Sequence, residues 1–162
     1  MKAKQIMTPS PCCASPSDSI ADVARMMRDN DCGAVPIVES KRVVGIVSDR
    51  DLAIRALAMG KGPETRVGEL MTQSPACCRA DDDVRDVANV MADRQVRRIP
   101  IVDADGGCVG IVAQADLARA ASDGTRVSEH EVAIVVERIS EPRAESTRGG
   151  SPAASASLEQ AL

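Results

Sequence analysis

The chain contains no phenylalanine, tyrosine or tryptophan among its 162 residues. Proteins that bind single-stranded nucleic acids commonly stack the bases on aromatic rings, so this absence argues against that function. A basic surface is lacking too, since 24 acidic against 20 basic residues give a net charge of −4. Binding to a phosphate backbone favours the opposite balance. Apolar residues make up 44% of the chain, so a packed core has to consist of aliphatic side chains.

We also expect neither a membrane-spanning nor a secretory segment. No stretch approaches the ~20 apolar residues that cross a bilayer, and no apolar run of signal-peptide length follows the first five residues. We therefore expect a cytoplasmic protein whose six cysteines are thiols rather than a disulfide framework. His130 is the only histidine, and there is no phosphate-binding loop or histidine-rich cluster. For these reasons we expect no catalytic activity.

The sequence repeats itself at an offset of 64 residues. Met7 and Thr8 recur as Met71 and Thr72 (71 − 7 = 64). Residues 22–24 match 86–88, residues 36–38 match 100–102 and, after one inserted residue, 44–47 match 109–112 and 51–53 match 116–118. An ordered series of matches with a single insertion in a turn indicates that one structural unit occurs twice.

Each copy predicts the order strand, helix, strand, strand, helix. Apolar residues at i, i+3, i+4 and i+7 from Ile20 and from Val84 predict an amphipathic helix, with Ser17 and Asp81 as candidate N-caps. Two short apolar runs around a polar turn then predict a hairpin. The second helix is predicted at about 49–59 in the first copy and at about 114–121 in the second.

We therefore expect an α/β protein of the α+β type, with two β-α-β-β-α repeats packed sheet against sheet about a pseudo-twofold axis. The predicted ranges are 1–60 for the first repeat, 61–66 for a linker, 67–122 for the second repeat, 123–141 for a helical extension and 142–162 for a disordered tail. The extension rests on a capping-box pattern beginning at Ser128 and an apolar stripe behind it. The tail is rich in small residues and proline.

The motifs of the two copies together resemble the CBS (cystathionine-β-synthase) domain pair, also called a Bateman module. They are the Met-Thr opening, the Pro-Ile-Val strand, and the Gly-Ile-Val strand followed by Ser-x-x-Asp or Ala-x-x-Asp, and they span roughly residues 3–122. The resemblance implies a regulatory homodimer that binds AMP, ADP, ATP or S-adenosylmethionine between its repeats and acts on a partner protein. The alternative is a ligand-free dimeric scaffold for protein interaction.

The candidate site begins with Ser48 and Asp51, between a predicted strand and a predicted helix. Backbone N–H groups at a helix start attract anions, and the resemblance implies that Ser48 contacts phosphate while Asp51 holds the ribose. The same spacing is that of a capping box, which needs no ligand, so both interpretations stay open. In the second copy Ala113 replaces the serine, and only Asp116 remains for a ribose.

Basic residues before the strand proline complete the site in similar modules. Arg97 and Arg98 occupy this place in the second copy, whereas the first copy is uncharged there. We expect both arginines to meet Ser48 and Asp51 in one anion site, giving one nucleotide per chain; a solvated strand end is the alternative. The adenine is predicted to lie against an aliphatic wall of Val35, Pro36 and Ile46.

The cysteine pairs Cys12–Cys13 and Cys77–Cys78 occupy nearly equivalent places in the two copies. Adjacent residues of a strand point to opposite faces, which disfavours a zinc site made of four thiolates. Small apolar filler is the simplest interpretation, and redox sensing is the other one that stays open.

Overall fold

Two repeats of similar structure form the protein in the computed structural model, which describes residues 1–122 and 129–141. The strands are β1 (Thr8–Pro9), β2 (Ala34–Glu39), β3 (Arg42–Ser48), β4 (Thr72–Gln73), β5 (Cys78–Arg79), β6 (Arg98–Val102) and β7 (Cys108–Ala113). The helices are α1 (Ile20–Asp29), α2 (Asp49–Asp51), α3 (Val84–Asp93), α4 (Gln114–Ser122) and α5 (Glu129–Ser140). The predicted α+β class with two repeats is confirmed. The predicted cap at Ser128 and the predicted tail, 142–162, lie outside the described residues.

The helix after β3 changes its winding along its length. α2 continues without a break as a π-helical segment, Leu52–Ala56, and a 3₁₀ segment, Leu57–Met59, so helical structure covers residues 49–59. Gly60 ends it in the left-handed conformation (φ 67°), which costs glycine little because it has no Cβ. This helix therefore has the extent that the sequence predicts.

The strands form two sheets, one for each repeat. In the first sheet the order is β2-β3-β4, and in the second it is β1-β7-β6-β5. The hairpins β2–β3 and β6–β7 are antiparallel, with Pro36 opposite Ile46 in one and Pro100 opposite Ile111 in the other. Both hairpins contain a register shift at the matching place, after Ile37 and after Ile101. The two repeats thus share even their irregularities.

Each repeat is completed by the segment that precedes the other one. β1 pairs with β7 of the second repeat, and β4 pairs with β3 of the first. The same exchange occurs at the helix starts, where the Val84 N–H donates to the Met1 carbonyl and the Ile20 N–H donates to the Thr65 carbonyl, both at 2.9 Å. These crossed segments hold the two repeats together.

The N-caps of α1 and α3 lie two residues beyond their predicted places, so the predictions of Ser17 and Asp81 are wrong. Ser19 caps α1 by accepting the Asp22 N–H, and Asp83 caps α3 by accepting the Arg85 N–H. Before α1, the Asp18 carboxylate accepts the Ser15 N–H at 2.7 Å. This turn keeps the chain non-helical until Ser19.

Two apolar cores fill the repeats, and the C-terminal helix extends the second one. The first core includes Ile20, Val23, Ile37, Val47 and, from the crossed segment, Val67. The second core includes Val84, Met91, Ile99, Val112 and, from the other crossed segment, Ala3. α5 adds Val132, Val135 and Ile139, which are 5–7% exposed. Among the described residues no helix has the length and apolar character to cross a bilayer.

Candidate functional site

The start of the 49–59 helix is closed by a reciprocal pair of side chains, Ser48 and Asp51. The Asp51 carboxylate accepts the Ser48 N–H at 2.9 Å and the Ser48 hydroxyl at 2.7 Å, and Ser48 Oγ accepts the Asp51 N–H at 3.2 Å. The capping-box interpretation of this motif is therefore realised. Both residues are half-buried, so the cap and a ligand contact are compatible.

Asp51 keeps one oxygen in a looser contact. Its Oδ1 lies 3.2 Å from Arg55 Nε, while Arg55 Nη1 donates to the Leu70 carbonyl at 2.9 Å. An exposed ion pair of this type contributes only about 0–1 kcal/mol, so Oδ1 can exchange it for another donor. Sequence reasoning missed Arg55, although its position four residues after Asp51 is the spacing of a helical ion pair.

Arg98 reaches from the second repeat to the wall of the first. A Cβ built on Gly33 would lie 2.7 Å from Arg98 Nη2 and 2.9 Å from Asp49 Oδ2. Gly33 is tied to the helix start, because its carbonyl accepts the Asp49 N–H at 3.2 Å. The structure thus places the Arg98 guanidinium beside the first residue of the helix that Ser48 and Asp51 cap.

Arg97 has a different environment from Arg98. Its carbonyl accepts the Gln114 N–H at 2.9 Å at the start of α4, which repeats the bond between Gly33 and Asp49 in the first repeat. Its side chain is exposed. The backbone of Arg97 therefore belongs to the helix start of the second repeat, and the structure records only Arg98 against the first.

Two of the three residues predicted for the adenine wall share a face of the first sheet. Pro36 and Ile46 are direct cross-strand partners, and residues opposite one another in an antiparallel pair project to the same side. Val35 pairs with Val47, and both are fully buried in the core of the first repeat. Because successive side chains alternate between faces, Val35 does not share the face of Pro36 and Ile46, and its prediction as part of the wall is wrong.

The equivalent helix start in the second repeat is closed more tightly. Asp116 is 7% exposed, and its carboxylate accepts the Ala113 N–H at 2.7 Å and pairs with Arg119 at 2.5 Å. Ala113 supplies no hydroxyl. This acid is therefore a buried cap, whereas Asp51 retains access to solvent.

The cysteines form two close contacts around the first repeat. Cys12 Sγ and Cys32 Sγ are 3.8 Å apart. The Cys13 thiol donates to the Pro11 carbonyl at 3.5 Å and the Cys108 thiol to the Gly110 carbonyl at 3.6 Å, and the interaction between these two thiols raises the pKa of Cys13 and lowers that of Cys108. Cys12 and Cys13 lie outside the strands, whereas Cys78 belongs to β5. Within residues 1–122 and 129–141, no group of three metal-ligating side chains is arranged to hold a metal ion.

A separate surface cleft of about 170 Å³ lies between α3, α4 and α5. Its lining includes Asn89, Leu117 and Ile134 but none of the predicted site residues. Since Val132 and Val135 of α5 form part of the wall, this cleft is a feature of the C-terminal extension rather than of the space between the repeats.

Two βαββα units, each completed by a segment that crosses from the other, define a tandem module. The family model for the CBS domain matches the chain twice, at residues 3–57 and 67–123. The chain therefore belongs to the CBS domain family, as a pair of domains. It is 37% identical to the CBS domain-containing protein YhcV of Bacillus subtilis, over 71% of this chain and 81% of that one. It is 35% identical to Hypoxic response protein 1 of Mycobacterium tuberculosis, over 88% and 96%.

Solved structures of CBS domain pairs have the same fold. The domain pair of protein MJ0100, in complex with 5-methylthioadenosine and S-adenosyl-L-methionine, matches with a TM-score of 0.71 and 28% identity over 77% of this chain and 98% of that one. CBSX2 in complex with AMP matches with a TM-score of 0.66 and 30% identity over the same shares. Hypoxic Response Protein I with two coordinated zinc ions matches with a TM-score of 0.67 and 36% identity over 74% and 98%.

Proposed function

We propose that this chain is a regulatory module, without catalytic activity of its own, that binds one adenosine-containing nucleotide between its repeats. AMP, ADP, ATP and S-adenosylmethionine are the candidate ligands. The observation that carries the proposal is the position of Arg98, which brings a cation from the second repeat to the capped helix start of the first. The complexes of MJ0100 and CBSX2 support the ligand class.

Asp51 is assigned to the ribose and Arg98 to the phosphate or carboxylate of the ligand. Asp51 Oδ2 is fixed by Ser48, while Oδ1 pairs with Arg55 at 3.2 Å, so Oδ1 can exchange this contact for ribose hydroxyls. A guanidinium donates two parallel N–H groups to an anion. The Ser48 hydroxyl donates to Asp51 and has to rotate to reach a phosphate. Arg97 is proposed to act from the cleft mouth.

The adenine is proposed to lie on the face of Pro36 and Ile46. Pro36 is buried and Ile46 half-buried, so the base would cover apolar surface. The chain has no phenylalanine, tyrosine or tryptophan ring to stack on a purine. We therefore expect dissociation constants that are micromolar or weaker, that is, binding free energies of about −8 kcal/mol or less in magnitude.

The second helix start is proposed to stay empty. Asp116 is more buried than Asp51 and pairs with Arg119, and the neighbouring serine is replaced by Ala113. Occupation of only one cleft would let the ligand alter the packing between the repeats asymmetrically and so change the surface that an unidentified regulated protein meets.

We also propose a cytoplasmic homodimer. In the second repeat, α5 packs on α3 and α4, whereas the 49–59 helix of the first repeat leaves Leu57 79% and Met59 72% exposed. These apolar side chains are suited to a contact with a second copy. The same surface favours the alternative function, a ligand-free interaction scaffold, so ligand binding has to be tested directly.

Thermal unfolding with AMP, ATP and S-adenosylmethionine separates these functions. A ligand that binds only the native state raises the melting temperature. At a hundredfold excess over Kd, it raises the free energy of unfolding by about 2.7 kcal/mol. Asp51→Ala should abolish this ligand-induced increase. The matched variant Asp116→Ala should have a lower melting temperature without ligand but should still show the increase when ligand is added. Calorimetry should give one site per chain. Two equal sites, or an unchanged response of Asp51→Ala, would exclude the proposed cleft.

A further inference from the structure

Two thiols of the first repeat lie close to one another. Cys12 Sγ and Cys32 Sγ are 3.8 Å apart, although 20 positions separate them in the chain. A disulfide bond is about 2.05 Å long. Both side chains are half-buried and pack against the core of the first repeat. The two thiols therefore lie at the edge of this core, in contact with it on one side and with solvent on the other.

Secure backbone contacts flank both cysteines. The Cys32 N–H donates to the Met27 carbonyl at 3.0 Å at the end of α1. Two residues after Cys12, the Ala14 N–H donates to the Pro36 carbonyl at 3.1 Å. Cys12 itself lies between β1 and this bond, in a segment without regular structure. The fold thus holds the two thiols near one another, and closing the gap from 3.8 Å to a bond has to move both chain segments.

The second repeat shows that the fold does not require this pair. At the offset of 64 residues, Ala76 stands in the place of Cys12 and Val96 in the place of Cys32. Both of these residues pack against the core of the second repeat. An alanine and a valine therefore suffice to fill these positions, and the thiol pair occurs only in the repeat that contains Ser48 and Asp51.

We propose that Cys12 and Cys32 form a reversible disulfide that weakens ligand binding in the neighbouring cleft. The disulfide assignment stands on the two sulfur positions, whereas the effect on binding rests on the proposed function. Cys32 directly precedes Gly33, the residue against which the Arg98 guanidinium lies and whose carbonyl binds the Asp49 N–H. Drawing Cys32 toward Cys12 displaces Gly33 and changes the position of Arg98 relative to the helix start.

The oxidant is a low-molecular-weight disulfide such as oxidised glutathione. One cysteine thiolate attacks a sulfur of the oxidant, which forms a mixed disulfide and releases one thiol. The second cysteine loses its proton, attacks the protein sulfur of the mixed disulfide and expels the second thiol. Two protein thiols are thereby oxidised, and one external disulfide is reduced to two thiols. Excess reduced thiol reverses both steps.

The environment of Cys12 slows this reaction at neutral pH. Burial, together with the neighbouring Cys32, raises the pKa of Cys12 to about 11. Since the thiolate is the nucleophile, the rate of attack by Cys12 should increase as the pH rises toward that value. Slow exchange suits a response to sustained oxidation rather than to brief changes.

The test uses the whole chain equilibrated in glutathione buffers of defined redox ratio. Peptide mapping by mass spectrometry should find a Cys12–Cys32 linkage that disappears on reduction, and calorimetry should find AMP binding at least about fivefold weaker in the oxidised protein. The matched variants Cys12→Ala and Cys32→Val copy the second repeat. In every buffer, each variant should bind AMP with the affinity of the reduced wild-type protein.

The outcomes separate the two parts of the proposal. Cys12 and Cys32 remaining reduced, or a linkage between Cys13 and Cys108 in their place, would refute the disulfide assignment. A Cys12–Cys32 linkage with unchanged AMP affinity would refute its effect on the cleft. If the reduced wild-type protein binds none of the candidate nucleotides, the proposed function fails, and the peptide map still decides whether the disulfide forms.

Discussion

The guanidinium of Arg98 lies against the backbone of Gly33, in a space that a side chain at position 33 would fill. The two residues belong to different repeats, and the contact depends on an asymmetry between them. At the offset of 64 residues, Gly33 corresponds to Arg97 and Ala34 to Arg98. The repeat without a side chain here therefore receives the cation of the other repeat.

Replacing Gly33 with alanine should displace Arg98 with little effect on stability. The new Cβ would lie 2.7 Å from Arg98 Nη2, and the flexible end of the arginine can move away. We expect AMP affinity to fall about tenfold, or ~1.4 kcal/mol, and the free energy of unfolding to change by less than about 1 kcal/mol. Isothermal calorimetry and urea denaturation measure the two quantities.

Gly62→Ala is the control for this substitution, since a Cβ at Gly62 would have no atom within 4 Å. It should leave AMP affinity unchanged. Equal affinities of Gly33→Ala and the wild type would show that the position of Arg98 does not matter for the ligand.

Asp49 should oppose the binding of highly charged ligands. Its Oδ1 accepts the Arg50 N–H at 2.7 Å, and its Oδ2 lies beside the Arg98 guanidinium, so the carboxylate occupies a place where a ligand anion would bind. Asp49→Asn removes one negative charge there. Two unit charges about 4 Å apart in water interact by ~1 kcal/mol, so the affinity for ATP should rise about fivefold.

Asp81→Asn makes the same change in net charge at a residue paired with Lys4, and should have no such effect. Titrations with ATP and S-adenosylmethionine compare the two variants. The increase for Asp49→Asn should be smaller with S-adenosylmethionine, which carries no phosphate. Weaker ATP binding by Asp49→Asn would mean that the carboxylate supports the site instead of competing for it.

Arg98 and Arg97 should contribute unequally, although the sequence predicts the same role for both. Arg98 is half-buried against Gly33, whereas Arg97 is exposed and its carbonyl binds the start of α4. Arg98→Gln should weaken AMP binding about tenfold or more, the loss expected for a hydrogen bond to a charged group. Arg97→Gln should weaken it by less than about threefold. Equal losses, measured by calorimetry at one salt concentration, would contradict this assignment.

The internal repeat allowed the architecture to be predicted, because matched motifs fix the order of elements twice. The segment exchange could not be predicted. Ala3 and Val67 are isolated apolar residues, and the sequence around them does not indicate which of the two cores each one enters. The N-caps were missed because Asp18 before α1 and Asp82 before α3 each form a local turn that competes with an earlier helix start. Val35 was assigned to the wall for want of a known strand register.

The sequence allowed the residues of the candidate site to be predicted, but not the residues that they contact. Ser48 and Asp51 were expected to serve either as a cap or as ligand contacts, and the structure realises the cap. Nothing in the local sequence indicates that Arg98 lies against Gly33, because that contact depends on how the two repeats pack. The roles of Ser48 and Asp51 were predictable because both residues belong to one helix start, whereas the role of Arg98 depends on the contact between the repeats.

The cap of α3 should make the stability of the second repeat depend on pH in acid. Asp83 accepts the Arg85 N–H at 3.1 Å, and this bond, together with the attraction of the N-terminal ammonium group, lowers the pKa of Asp83 below its ordinary value of 3.8. A carboxyl group whose pKa is lower in the folded protein stabilises it above the unfolded value. That stabilisation is lost as the pH falls through the lower folded value.

The first repeat offers the matched replacement, because Ser19 caps α1 with a hydroxyl that does not titrate. Asp83→Ser should therefore keep a capped helix while removing this source of pH dependence. Urea denaturation at neutral pH and at several values below 3.8 should show a smaller loss of stability on acidification for Asp83→Ser than for the wild type. Other carboxylates with lowered pKa values, such as Asp22 and Asp81, are common to both proteins and cancel in the comparison. Parallel pH profiles would mean that the Asp83 carboxylate is no better stabilised in the folded chain than in the unfolded one.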